Sequence, residues 1–322
     1  MSDPGVLASE RLASTPPGHG GQRFGERLAR RVQERESQLV LGLDPDPARL
    51  WPAALDAAGD GSAAERAARA VAAHCRLVLD ATAEQCVAVK PQVACFERLG
   101  APGWSALATL AADARARGLL VICDGKRGDI DVSARAYGQA FFGATETPFG
   151  SVPGLGADAL TVNPLLGLDS LRPLAEIGRS AAAGLFVLVR TSNPGAADIQ
   201  DLELASGGTV SDRLAELVRT LDDEGGRTGL SDVGAVTGAT APEHLERLRA
   251  RMPTAPFLLP GVGAQGGRVQ DLAAAFMPGP AGGLVSSSRG IVFAYERSGH
   301  GPGSAAGDEA ARLRELAWKL SH

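Results

Sequence analysis

Lysine is scarce in this chain. Of its 32 basic side chains only Lys90, Lys126 and Lys319 are lysines, so arginine serves wherever a generic positive charge is enough. A guanidinium holds its proton too tightly to hand it over, whereas neighbours can tune an ammonium. Lys90 and Lys126 both lie at apparent strand ends, and they stand out as charges placed for chemistry. Cysteine is sparse as well. Cys75, Cys86, Cys95 and Cys123 sit in apolar or helical surroundings without C-x-x-C spacing, which argues for buried free thiols in a reducing compartment against disulfides or zinc ligands. No run of Lys and Arg appears, and the formal charge of -5 with a pI near 5.6 argues against a surface for nucleic-acid backbones. A small anion is the better partner. No apolar stretch approaches the ~18 residues of a membrane span, and no signal-peptide core opens the chain, so a soluble cytoplasmic protein is expected. His74 and His244 fall in expected helices and His19, His300 and His322 in terminal or loop segments, which indicates no histidine base and no metal cluster.

Leu119-Leu120-Val121-Ile122-Cys123 is five consecutive apolar residues, too many for a half-exposed strand and too few for a helix. It runs directly into Asp124-Gly125-Lys126-Arg127-Gly128-Asp129-Ile130, three charges spaced D-x-K-x-x-D. A buried parallel strand ending in a charged cluster is the place where α/β enzymes keep their chemistry. Alternation along an extended segment points Asp124 and Lys126 to one side, and the next turn can bring Asp129 near.

The same unit recurs along the chain. Residues 1–20 are small and polar and read as a mobile tail. Helices are expected at 24–36, 63–82, 105–117, 133–142, 170–182, 211–224, 242–251 (with Thr240 as N-cap) and 309–320. Strands are expected at 38–45, 86–90, 119–123, 159–163, 185–190, 233–237, 257–260 and 283–286. Eight short apolar strands alternating with helices predict an α/β fold, a single (β/α)8 TIM barrel over residues 21–322, with a doubly wound open sheet as the alternative. A barrel gathers the C-terminal ends of all strands on one face. Asp44, Lys90, Asp124, Lys126, Asn163, Ser192, Gln265 and Arg289 should therefore converge. Segments 143–156 and 298–307, rich in Gly with Pro, Thr or Ser, read as irregular loops.

The last two strands carry a second signal. Pro260-Gly261-Val262-Gly263-Ala264-Gln265-Gly266-Gly267 offers bare backbone to an anion, and Ser286-Ser287-Ser288-Arg289-Gly290 adds hydroxyls and a guanidinium on the next loop. Barrels commonly bind phosphate in the loops after strands seven and eight.

Taken together, Gly42-Leu43-Asp44-Pro45, Val89-Lys90-Pro91-Gln92, the D-x-K-x-x-D block, Thr191-Ser192-Asn193-Pro194-Gly195, the glycine-rich turn and Arg289-Gly290-Ile291 resemble the orotidine 5'-phosphate decarboxylase family, in its longer branch. The block alone is shared with related sugar-phosphate enzymes, but its combination with the S-N-P-G and P-G-V-G-A-Q-G-G loops is highly specific. The resemblance implies conversion of orotidine 5'-monophosphate to uridine 5'-monophosphate and carbon dioxide, the last step of de novo pyrimidine synthesis, without metal or organic cofactor. It implies Lys126 as proton donor to C6 in an array with Lys90, Asp124 and Asp129, the last acting with Ser133 across a homodimer interface. By the same resemblance Asp44 binds ribose, Ser192 the pyrimidine, Gln265 links base and phosphate, and Arg289 holds the phosphate, with Pro260, Gly261 and Gly290 alongside.

Plainer readings exist. Asp44 before Pro45 is also a turn former, Asn163 before Pro164 reads as structural, Lys90 alone could be a snorkelling surface residue, and Trp51, Trp104 and Trp318 read as packing residues. The rival functions are a magnesium-dependent sugar-phosphate enzyme resembling hexulose-phosphate synthase, in which the acids of the block would bind metal, and a non-catalytic nucleotide-binding barrel. The second would be expected to have lost a member of the charged array, and all four are present.

Overall fold

Every expected core strand forms in the computed structural model, which describes residues 22–224 and 229–322. The strands are β1 (Leu39–Leu43), β2 (Ala88–Pro91), β3 (Leu120–Arg127), β4 (Ala144–Thr147), β5 (Gly150–Pro153), β6 (Ala159–Val162), β7 (Gly184–Arg190), β8 (Val233–Thr237), β9 (Phe257–Leu259) and β10 (Gly283–Ser287). Eight of them close a parallel barrel in the order β1-β10-β9-β8-β7-β6-β3-β2, while β4 and β5 pair separately. Both faces of each barrel strand are covered, which is why they read as unbroken apolar runs.

Side-chain alternation sorts the strands into two cores. Leu39, Leu41 and Leu43 point outward against the helices, while Val40, Ala88, Leu120, Ile122, Ala159, Phe186, Val236, Leu258 and Leu284 fill the barrel interior. Continuing that period toward the C-terminal ends places Asp44, Lys90, Asp124, Thr161 and Ser286 in the barrel mouth. Gly42, beside Lys90 in the register, is needed for room, since a Cβ there would come within 2.7 Å of the Ser288 Cβ. The opposite end is plugged by the helix Phe24–Arg35, whose Phe24, Leu28 and Val32 enter the inner core. Phe24 meets Phe186 edge-on at 5.9 Å between ring centres. Arg27 pairs there with the buried Asp158, and Gly25 N donates to Asp232 Oδ1 at 2.9 Å.

Several expectations need correction. The segment 143–156 is not an irregular loop, since Ala144–Thr147 and Gly150–Pro153 form an antiparallel hairpin. Its residues are exposed on both faces, so no apolar alternation marked it. The segment 298–307 is helical from Pro302, where the final helix begins. Ala305 and Ala306 are buried, and a Cβ on Gly307 would come within 3.0 Å of Ala81 O, so the small residues permit close helix packing. The helix expected from Ser105 starts at Ala101, with Pro102 in its first turn where a missing N–H is harmless. Thr240 does not cap a helix. Its hydroxyl donates to Ser192 O at 2.9 Å, and Pro242–His244 opens as a 3-10 turn. Trp51 is buried and donates to Val292 O, whereas Trp104 is 41% exposed. The expected tail, residues 1–20, lies outside the described residues.

Cys75, Cys86 and Cys123 are buried free thiols, and Cys95 is half-buried and free. Among the described residues no helix is long and apolar enough to cross a membrane.

His74 supports the turn before the helix Pro52–Leu55 by accepting a hydrogen bond from Trp51 N at 3.1 Å. Burial lowers its pKa from the ordinary 6.5 to about 4. The folded protein thus keeps this imidazole neutral, while the unfolded chain takes up a proton near 6.5. The stability it contributes is complete above 6.5, declines as pH falls toward 4, and changes no further below. Unfolding in urea should therefore lose roughly 2 kcal/mol between pH 7 and pH 5 from this group alone. A His74→Gln variant, which cannot titrate, should lack that component. Equal pH dependence in the two proteins would contradict the assignment.

Candidate active site

At the C-terminal mouth of the barrel lies a cavity of about 670 Å³. Asp44, Lys90, Asp124, Lys126, Asn163, Ser192, Gln265 and Arg289, the eight residues expected to converge, all line it, together with Pro260 and Gly261. Its walls also include Leu188, Val236 and Leu258, which continue the inner core upward as an apolar floor.

The charged end is built on β2 and β3. Lys90 and Asp124 are each 7% exposed, and Lys90 Nζ lies 2.6 Å from Asp124 Oδ2. Lys126 Nζ lies 2.6 Å from Asp124 Oδ1, with its side chain 45% exposed toward the cavity. One carboxylate thus bridges two ammonium groups. Burial alone would push the Asp124 carboxyl up, but the charges and hydrogen bonds of Lys90 and Lys126 outweigh it and hold it down to about 2. Burial alone would likewise lower Lys90, and the Asp124 and Asp44 charges reverse that, leaving it above its ordinary value. Both ions are stabilised as ions, which suits a permanent electrostatic device.

The strand does not stop where its apolar run does. It continues through the charges to Arg127, and its pairing with β6 shifts from Cys123↔Leu160 to Arg127↔Val162, two extra residues on the β3 side. Within this bulge Lys126 adopts φ +46°, the left-handed region that a residue with a side chain rarely enters. Asp124 and Lys126 still face one side, while a side chain on Gly125 would meet Leu160 and Phe141 outside the barrel.

The other end holds polar loops. Ser192 Oγ donates to Gln265 Oε1 at 2.8 Å, tying the loop after β7 to the glycine-rich turn after β9. That turn is folded on itself by Gly263 N to Gly267 O at 2.9 Å and Gly267 N to Gly261 O at 3.0 Å. Gly261 has φ +103°, and a Cβ there would press on Thr240 and Ser192, so the turn needs glycine at this position. Arg289 opens a short helix at the rim.

Three residues expected in the site do not line this cavity. Gly290 faces an adjacent cavity behind Arg289. Asp129 is half-buried beyond the bulge, where its Oδ1 accepts from Ile130 N at 2.8 Å, and Ser133 is exposed one turn into the following helix. Neither is delivered to its own chain's array. Among the lining residues that the sequence reading did not assign to the site, two are polar neighbours of the array. Gln92 continues β2 past Lys90, and Thr161 on β6 donates to Asp124 Oδ1 at 2.9 Å. A threonine inside an apolar strand carries no sign of such a role.

Residues 37–299 match the family described as orotidine 5'-phosphate decarboxylase / HUMPS. The chain belongs to this family. Relatives named orotidine 5'-phosphate decarboxylase include one from Rhodopirellula baltica, 42% identical over 278 residues and covering 85% of this chain and 89% of the relative. Another, from Haloarcula marismortui, is 42% identical over 301 residues, covering 91% and 97%. Among solved structures, an OMP decarboxylase from Leishmania donovani superposes with a TM-score of 0.70 at 30% identity, covering 92% of this chain and 99% of that one. The UMP synthase of the same organism matches with a TM-score of 0.71 and 32% identity, this chain spanning 57% of it. The decarboxylase family's barrel is therefore the fold of this chain.

Proposed function

We propose that this chain decarboxylates orotidine 5'-monophosphate to uridine 5'-monophosphate, the closing step of pyrimidine nucleotide synthesis, with residues 21–322 as one catalytic unit acting in the cytoplasm. The observation that carries the reading is the Lys90–Asp124–Lys126 array at one end of a cavity whose other end presents Gln265 and Arg289. Such a cavity fits a nucleotide with a reacting base and a phosphate.

Loss of carbon dioxide from C6 leaves an electron pair in an sp2 orbital that the ring cannot delocalise. The site must then stabilise a localised carbanion, and a fixed ammonium does so directly. At ~4 Å and an effective dielectric of ~20, one unit charge pair is worth roughly 4 kcal/mol, and the attraction grows as charge moves from the carboxylate onto C6. Lys126 then gives its proton to C6. Asp124 holds both ammonium groups and disfavours the adjacent substrate carboxylate. Arg289 and the glycine-rich turn take the phosphate, Gln265 and Ser192 lie between phosphate and base, and Asp44 reaches the ribose. Binding energy gathered at the phosphate, remote from C6, is available to close the loop after Gln265 over the site.

Asp129 and Ser133 lie outside their own cavity beside the exposed Ile130 (49%) and Val132 (81%). Exposed apolar side chains next to a polar pair fit a second copy of the chain, with Asp129 completing the neighbouring site. The magnesium-dependent reading is disfavoured because Asp124, the acid a metal would need, already accepts from Lys90, Lys126 and Thr161. Positive charge from two lysines takes the place of a metal or organic cofactor.

Ultraviolet absorbance of orotidine 5'-monophosphate, followed with purified protein in excess EDTA, tests the proposal. Conversion to the uridine nucleotide is expected. No conversion with EDTA or with added magnesium would redirect attention to sugar phosphates.

A further inference from the structure

The bulge in β3 creates a problem that one residue of β6 solves. Two extra residues between Cys123 and Arg127 interrupt the regular register with β6, which takes the Lys126 N–H out of the ordinary ladder. It donates instead to Thr161 Oγ1, at 2.9 Å. The same hydroxyl passes its own hydrogen to Asp124 Oδ1, at 2.9 Å, the oxygen that Lys126 Nζ also reaches. Backbone, hydroxyl, carboxylate and ammonium thus close a circuit that begins and ends on Lys126. Thr161 is 1% exposed and its rotamer is held by the strand around it.

We propose that Thr161 is a positioning residue of the charged array: its hydroxyl fixes the left-handed backbone of Lys126 and the rotation of the Asp124 carboxylate together, aiming the ammonium at C6. The inference rests on the decarboxylase reading and deepens it. A left-handed backbone at a residue with a side chain persists only when its surroundings hold it there. Without the hydroxyl, the Lys126 N–H loses this acceptor and the Asp124 carboxylate keeps only its two ammonium partners, one of which is the mobile Lys126 itself, while the apolar packing of β6 stays intact.

Thr161→Val keeps the shape and removes the hydroxyl, and Thr161→Ser keeps the hydroxyl on a smaller side chain. The valine variant is expected to lose roughly 10- to 100-fold in kcat with KM within about threefold, since misplacement by a fraction of an ångström acts on the reacting geometry and not on phosphate binding. Affinity for a uridine nucleotide bearing an oxyanion at C6 should fall in parallel, and affinity for uridine 5'-monophosphate should not. The serine variant should restore kcat to within about threefold of wild type. Circular dichroism and Tm report folding separately, and should the valine variant not fold, Thr161→Ala against Thr161→Ser is read in the same way. Wild-type kcat without the hydroxyl would overturn the proposal, as would a serine variant as slow as valine. A wild-type protein inactive on orotidine 5'-monophosphate would instead remove the parent reading and this one with it.

Discussion

Replacing Lys126 by alanine is expected to lower kcat by at least about 10⁴-fold, because one change removes both the proposed general acid and a preorganised charge. The fold should survive. Lys126 Nζ sits at the cavity edge with a half-exposed side chain, and Asp124 keeps its ion pair to the buried Lys90. The loss should appear in kcat and kcat/KM alike, since the interaction with C6 exists only as the carbanion forms. The phosphate contacts proposed for Arg289 and Gln265 are untouched, so KM should move little. Steady-state kinetics by absorbance, with Tm beside them, check this. A variant retaining a hundredth of wild-type kcat would place the proton and the main charge elsewhere, with Lys90 the next candidate.

The second large effect concerns Asp129. Asp129→Asn should be nearly inactive although Asp129 does not line the cavity of its own chain. A mixture of this variant with Lys126→Ala, unfolded and refolded together, should recover activity. In a random equimolar mixture half of the dimers are mixed, and each mixed dimer holds one site with both native residues, so about a quarter of wild-type activity is expected for a two-fold symmetric pair. Recovery requires that Asp129 act across an interface. No recovery, with mixed dimers demonstrated, would show that the residue serves its own subunit.

Much of this was legible in the sequence for identifiable reasons. Barrel strands buried on both faces have to be apolar throughout, so Leu39–Leu43 and Leu185–Val189 announce themselves. Lys90 and Lys126 stand out because arginine has replaced lysine almost everywhere else. What escaped depends on contacts between distant segments. The bulge that bends Lys126 into a left-handed backbone arises from pairing with β6, 35 residues onward, and leaves no local mark. Thr161 looks like any β-branched strand residue until Asp124 is found against it. The hairpin of β4 and β5 exposes both faces and so shows no alternation. The segment 298–307 reads as a loop by composition and is helical from Pro302, where small residues let it approach the helix Ala63–Thr82.

The central claim is that the array stabilises a carbanion at C6 and that Lys126 carries its proton. Reversibility makes this measurable without decarboxylation. In deuterium oxide the protein should exchange the C6 hydrogen of 5-fluorouridine 5'-monophosphate, whose fluorine eases carbanion formation, and proton magnetic resonance would follow the loss of that signal. The account predicts exchange by the wild-type protein and none above background with Lys126→Ala. Equal exchange by both proteins would contradict it.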